Sequence, residues 1–183
     1  SAHTKINIEI CTEQTANLNI YYAMYSTALG YCFLAINDIG LCQLDFFEYP
    51  EQQSALLQRL QQQWPKANIL LDTEKTKPLT HILTANQDKA PIKLLLQGSP
   101  FQTQVWKALM QIPVGNICSY QDIANTINKP TAVRAVASAI GKNNIAYLIP
   151  CHRVIRGNGK INHYRWGASR KIALLMREEG LGK

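Results

Sequence analysis

Long apolar runs are missing from this 183-residue chain, and so are cysteine pairs, zinc-type ligand spacings and internal repeats. No stretch approaches the roughly 18 apolar residues that cross a bilayer, and no signal-peptide pattern opens the chain, so no membrane partner is expected. The five cysteines (Cys11, Cys32, Cys42, Cys118 and Cys151) are odd in number and far apart. Without a CxxC pair or a Cys/His cluster, they argue against a disulfide framework and a structural metal, and predict a reducing, intracellular compartment. Met does not come first, which fits a segment of something longer. What is present is ordinary for a soluble globule: 46% hydrophobic and 17% charged residues, enough for one large domain or two small ones.

Acidic residues are scarce only in the second half. Residues 1–97 hold seven Lys/Arg against nine Asp/Glu, whereas residues 98–183 hold twelve against three. The formal net charge of +7 is therefore concentrated in one half. That split predicts a near-neutral domain, 1–97, followed by a polyanion-binding domain, 98–183. A basic face of this kind also fits plain solvated surface.

Residues 1–18 are polar and weakly patterned and read as a tail or linker. Tyr21, Ala23 and Tyr25 alternate, Leu29-Gly30 breaks the run, and two β-rich runs, 31–36 and 41–47, flank Asn37-Asp38-Ile39-Gly40, a hairpin signal. Leu56, Leu57 and Leu60 recur at helical spacing within 51–64, which ends at Pro65. Pro78 is expected to start a second helix, and 86–97 to be a connector with a short strand at 92–96.

Helix signals strengthen after Gly98. Ser99-Pro100-Phe101-Gln102 combines an N-cap Ser, a Pro at the first helical position and a capping-box Gln. Ser119-x-x-Asp122 is a second capping box, followed by Tyr120, Ile123, Ala124 and Ile127 at helical spacing. Asn128-Lys129-Pro130 breaks the chain before a third helix, about 131–140, which makes a helix-turn-helix. This third helix carries small residues around one large cation, Arg134. Such a helix suits close approach to a narrow groove better than reading bases in a wide one, and an Ala-rich packing helix with a surface Arg remains the other reading.

The apolar run 145–149 reads as a buried strand delivering Pro150-Cys151-His152-Arg153-Val154. Arg153, Arg156 and Lys160 are expected to favour thiolate at Cys151; a buried, inert Cys is the plain alternative. Adjacent side chains of extended backbone point to opposite faces, so His152 reaches the sulfur only through a turn or a water. A last helix, about 168–179, stops at Gly180 with Glu178 and Glu179 in its final turn. The helix dipole disfavours anions there, unless one orients a histidine.

Pro150-Cys151-His152-Arg153-Val154 resembles the active-site signature of the O6-alkylguanine-DNA alkyltransferases, the O6-methylguanine-DNA methyltransferase family, of the bacterial Ada/Ogt type. Phe101-Gln-x-x-Val105-Trp106, Ser119-Tyr120-Gln121, Arg134-Ala135-Val136-Ala137 and Tyr164-Arg165-Trp166-Gly167 fall in the order of that family's other motifs. The resemblance covers about residues 20–180 and is dense from 98 onward. It implies an α/β, ribonuclease-H-like first domain with a small antiparallel sheet plus helices, and a mainly α, winged-helix-like second domain. It implies double-stranded DNA containing O6-alkylguanine as partner and substrate, O4-alkylthymine as a further one, no cofactor, and a cytoplasmic monomer acting once per molecule. Cys151 would accept the alkyl group, Glu178 would orient His152 as a base acting through water, and Asn143 would tie the helix-turn-helix to the Cys151 strand. Arg134 would fill the stack vacated by a flipped base, with Ala135 and Ser138 beside it against the DNA. Tyr120 would protonate the departing guanine, Tyr164 would wall the alkyl pocket, and backbone groups at Cys151, Val154 and Arg165 would read the guanine edge.

Two departures stand out. Asn162 and His163 precede Tyr164 where relatives usually carry small residues, which narrows the expected pocket. The zinc site of some relatives has no match, since Cys11 and Cys32 do not align with it, and no metal is expected. The competing readings are a damage sensor without transfer, disfavoured by the presence of Cys151, a sequence-specific transcription factor, and a Cys–His hydrolase.

Overall fold

A computed structural model describes residues 6–10, 18–83, 92–159, 161 and 163–181. Its chain divides into two compact units, Ser1–Gln97 and Gly98–Lys183. No helix among the described residues is long and apolar enough to cross a membrane.

The first unit is built on a six-stranded sheet. Its strands are β1 (Ile6–Ile10), β2 (Asn19–Thr27), β3 (Gly30–Ile36), β4 (Leu41–Phe47), β5 (Asn68–Leu71) and β6 (Ile92–Leu96), in spatial order β1-β6-β4-β3-β2-β5. The expected hairpin forms: the Asn37 side chain accepts from the amides of Ile39 and Gly40 at 2.8 and 2.9 Å, closing the β3–β4 turn. The sheet is mixed, however, and the antiparallel expectation needs correction. Only β2-β3-β4 run antiparallel, while β1–β6, β4–β6 and β2–β5 pair in parallel. Parallel neighbours need long connections, and these carry the unit's helical segments. Residues 1–18 are also more than a tail, because β1 lies among them at one edge of the sheet.

Helix α1 (Gln53–Gln63) follows a 3-10 turn at Pro50–Gln52 and buries Leu60 and the adjoining Trp64 against Ile20, Phe33, Ala35, Cys42, Phe47 and Leu95. The helix expected from Pro78 starts earlier, at α2 (Thr73–Thr76), because Asp72 caps it by accepting from the Lys75 amide at 3.0 Å; Pro78 falls in the 3-10 segment Lys77–Leu83 that follows.

In the second unit, α3 (Pro100–Leu109) and α4 (Tyr120–Thr126) begin at the expected capping boxes. Ser99 Oγ accepts from Gln102 N and Ser119 Oγ from Asp122 N, each at 3.1 Å. Asn128, at φ 59°, turns the chain toward α5 (Val133–Gly141). Trp106 Nε1 donates to the Ala139 carbonyl at 2.9 Å, pinning α5 on α3. The Trp106 ring also fills the space in front of Gly98, where an added Cβ would lie 2.7 Å from it. A two-stranded parallel pair joins β7 (Cys118–Ser119) to β8 (Val154–Ile155), and α6 (Ala168–Leu181) closes the unit, running one residue past the stop expected at Gly180.

Candidate active site

Residues 145–149 are not a strand. Ile145, Ala146, Leu148 and Ile149 are buried as their apolar side chains require, but the backbone turns, with Tyr147 in the left-handed region at φ 68°. Cys151–Arg153 then forms a short 3-10 helix instead of extended chain. The turn is what lets consecutive residues serve one site, since side chains no longer alternate between opposite faces.

Asn143 organises this turn. Its side-chain amide donates to the carbonyls of Ile145 and Ile149 at 3.1 and 3.2 Å and lies 3.4 Å from Cys151 Sγ, while its Oδ1 accepts from Ile145 N at 2.9 Å. Cys151 is 6% exposed. Burial pushes its thiol up to about 11, against the pull of the Asn143 hydrogen bond and the charges of Lys171 and Arg165. Thus the resting sulfur is a thiol, and the basic surroundings expected to favour thiolate do not outweigh burial. The expected cations also differ. Arg153 is turned away, Arg156 is exposed at the rim, and Lys160 lies outside the described residues.

His152 is fully buried, and its Nε2 lies 2.7 Å from Glu178 Oε1. The carboxylate takes the Nε2–H, which leaves the Nδ1 lone pair to accept; Nδ1 is buried and has no hydrogen-bond partner. Burial holds His152 below its ordinary pKa, opposed by Glu178. Burial would raise Glu178 as well, but hydrogen bonds from His152 and Arg153 and their charges bring it down to about 2. Arg153 grips that carboxylate with two bonds of 2.9 Å and donates to the Ile112 carbonyl at 2.6 Å. An anion near the C-terminal end of α6 is therefore held by a guanidinium and an imidazole, which overcome the helix dipole.

Lys171 had no place in the expected site. It is 1% exposed, and its Nζ donates to the Val154 carbonyl at 2.6 Å. Burial lowers its pKa and the Cys151 charge raises it. The sequence does carry a signal: Lys171, Leu174 and Glu178 follow one helical stripe, and a Lys and a Glu on a stripe with a buried Leu need partners.

Cys151 lies at a cleft of about 570 Å³, a volume typical of small-molecule sites. Tyr120, Arg134, Tyr164 and Arg165 line it, as do Arg156 and His163. Ala135 and Ser138 are exposed on α5 outside this lining, and Val154 is buried behind it with its carbonyl on Lys171. The Arg165 guanidinium donates to the Asn143 carbonyl at 2.6 Å, so the Tyr164–Arg165 loop is fastened to the same residue that touches the sulfur. Tyr120 is half-buried; burial and the Cys151 charge raise its pKa, and Arg156 opposes them. His163 stands at φ 60° and Asn162 lies outside the described residues. No cluster able to hold a metal occurs among the described residues.

Residues 20–89 match the family described as 6-O-methylguanine DNA methyltransferase, ribonuclease-like domain, and residues 100–180 match its DNA binding domain. The chain is 43% identical over 166 residues to the bifunctional transcriptional activator/DNA repair enzyme Ada of Escherichia coli (strain K12), across 88% of this chain and 46% of that protein. It therefore spans about half the length of this relative. To the methylated-DNA–protein-cysteine methyltransferase of Methanosarcina barkeri (strain Fusaro) it is 36% identical over 160 residues, across 87% of this chain and 98% of that one. Among solved structures it is similar to Mycobacterium tuberculosis OGT in complex with DNA, with a TM-score of 0.61 and 30% identity over 88% of this chain and 93% of that chain.

Proposed function

The chain belongs to the 6-O-methylguanine DNA methyltransferase family, and from that premise we propose that it repairs duplex DNA by moving the alkyl group of O6-alkylguanine onto its own Cys151. The observation that carries this reading is the buried relay beside the cleft: Asn143 on the sulfur, and a His152 clamped by Glu178 with Nδ1 left to accept. A water bridging Sγ and Nδ1 takes the thiol proton to His152. The thiolate then attacks the alkyl carbon in line, the C–O6 bond breaks, and its electron pair leaves with guanine. Tyr120 delivers a proton to guanine N3, and the thioether stays on the protein. Each molecule acts once, and the alkylated base is the sole alkyl donor, so no cofactor takes part.

The DNA side of the reading rests on the exposed face of α5. Small residues there, Ala135 and Ser138, let the helix lie close in the minor groove, while Arg134 enters the stack in place of the flipped base. Tyr164 walls the alkyl, and backbone groups of Cys151, Val154 and Arg165 read the guanine edge. O4-alkylthymine fits the same chemistry, and His163 on the cleft wall favours small alkyl groups. The first unit, a ribonuclease-H-like domain in this reading, supports the second, a winged-helix-like one, in a cytoplasmic monomer.

The test is to mix the protein with a duplex holding one O6-methylguanine, digest it and weigh the peptides. One CH₂ confined to the Cys151 peptide, saturating at one per protein, is the expected result. Binding without transfer would defeat the reading.

A further inference from the structure

Transfer moves a negative charge through the cleft. It begins on the Cys151 sulfur, passes to the departing guanine, and rests on the Tyr120 oxygen once that phenol has given its proton away. A half-buried phenolate needs a cation, and Arg134, Arg156 and Arg165 line the cleft without being equivalent. Arg165 is committed to the Asn143 carbonyl, and Arg153, outside the lining, to Glu178. Arg134 is exposed on α5 and, in the reading above, enters the base stack, which leaves Arg156 on the wall it shares with Tyr120, where its charge favours the phenolate.

We propose that Arg156, on the wall that Tyr120 and Cys151 share, is a further functional residue of this reaction: its guanidinium holds the charge left on Tyr120 after guanine is protonated. The inference rests on the transfer reading above and deepens it. Arg156 is exposed when the cleft is open, so solvent screens it; a base filling the cleft excludes that water and strengthens the attraction. The timing is favourable. Cys151 opposes ionisation of Tyr120 only while the sulfur is charged. Forming the S–C bond removes that opposition as the leaving guanine needs its proton. The proton held on His152 then reaches the phenolate through water, and the site returns to neutrality around a thioether.

The experiment is a kinetic cycle on the full chain. Arg156→Met and Arg156→Lys are made in the parent and in Tyr120→Phe, and single-turnover transfer from an O6-methylguanine duplex is timed at saturating protein. Binding to undamaged duplex is measured against salt. Arg156→Met should slow the parent about tenfold, less than the loss of a general acid itself, with Arg156→Lys restoring most of the rate. In Tyr120→Phe the same change should cost less than about twofold, and the salt slope should not move. Equal losses in both backgrounds, Tyr120→Phe reacting at the parent rate, or a salt slope reduced by about one with the saturating rate intact would each overturn the proposal, the last marking a phosphate contact. A parent that transfers nothing would instead sink the transfer reading itself.

Discussion

Cys32 and Cys151 are both buried thiols, one in each unit, and their surroundings set the sulfur proposed as acceptor apart from the other. Cys32, on β3, is fully buried; burial pushes its pKa far up, and the nearby Asp45 carboxylate pushes it further. Cys151 is nearly as buried, yet Asn143, Lys171 and Arg165 bring it back to about 11. The two buried carboxylates differ in the same way. Asp45 is fully enclosed between Arg59 and Gln43 and completes a structural ion pair, while Glu178 divides its oxygens between Arg153 and the buried His152 next to Cys151. Burial by itself makes a cysteine a small hydrophobe. A nucleophile needs burial that is partly offset by donors and cations.

The contrast is broken most severely at the sulfur. Cys151→Ala should abolish CH₂ transfer from an O6-methylguanine duplex, whereas Cys32→Ala should leave the rate of the folded protein unchanged; labelled Cys32 peptide in the mass map would refute this division. Next come the carboxylates. Glu178→Gln should slow transfer about 10²-fold and lower the unfolding free energy by about 3 kcal/mol. Asp45→Asn should show a similar loss in urea denaturation and no loss of rate per folded molecule.

Lys171→Met comes third. Removing the buried cation raises the Cys151 pKa, so iodoacetamide should label that thiol about tenfold more slowly in mildly alkaline buffer, and equal labelling rates would show that the cation only packs. The smallest effects are in pH. Cys151 labelling should climb toward a midpoint near 11 while Cys32 stays silent in the folded state. Cys151 is raised above its ordinary 9.0, so its contribution to stability is present below pH 9 and lost as pH rises through about 11. On the acid side His152 is held below 6.5 and Glu178 is drawn from 4.5 to about 2, so both contributions are lost as pH falls from 6.5 toward 2. A urea midpoint that stayed flat across that acid range would contradict the buried relay.

Local chemistry was legible in the sequence wherever a residue acts on its own backbone. Asn37 at the hairpin, and Ser99 and Ser119 at the helix starts, do what their short polar side chains dictate. The contact of Glu178 with His152 was also legible, because an anion sits poorly at a helix end unless it orients a histidine. Pairings decided at a distance were not. The β5 strand (Asn68–Leu71) is short and mostly exposed, so it lacks alternation, and the parallel partners of β1 cannot be read from its own residues. The run 145–149 has the composition of a strand, but the hydrogen bonds of Asn143 bend it. Lys171 was overlooked because a lysine in an amphipathic helix ordinarily faces water, and only its neighbours on the stripe showed otherwise.

Gly98 bears on how this molecule can be cut and joined. Any side chain there would collide with the indole that holds the end of helix α5, through the Trp106–Ala139 bond. A tag, a hinge or a fused partner placed before the second unit must therefore end by Gln97. One residue later, the junction would press on Trp106, and a change made for convenience in the linker would be felt at Ala139 on α5.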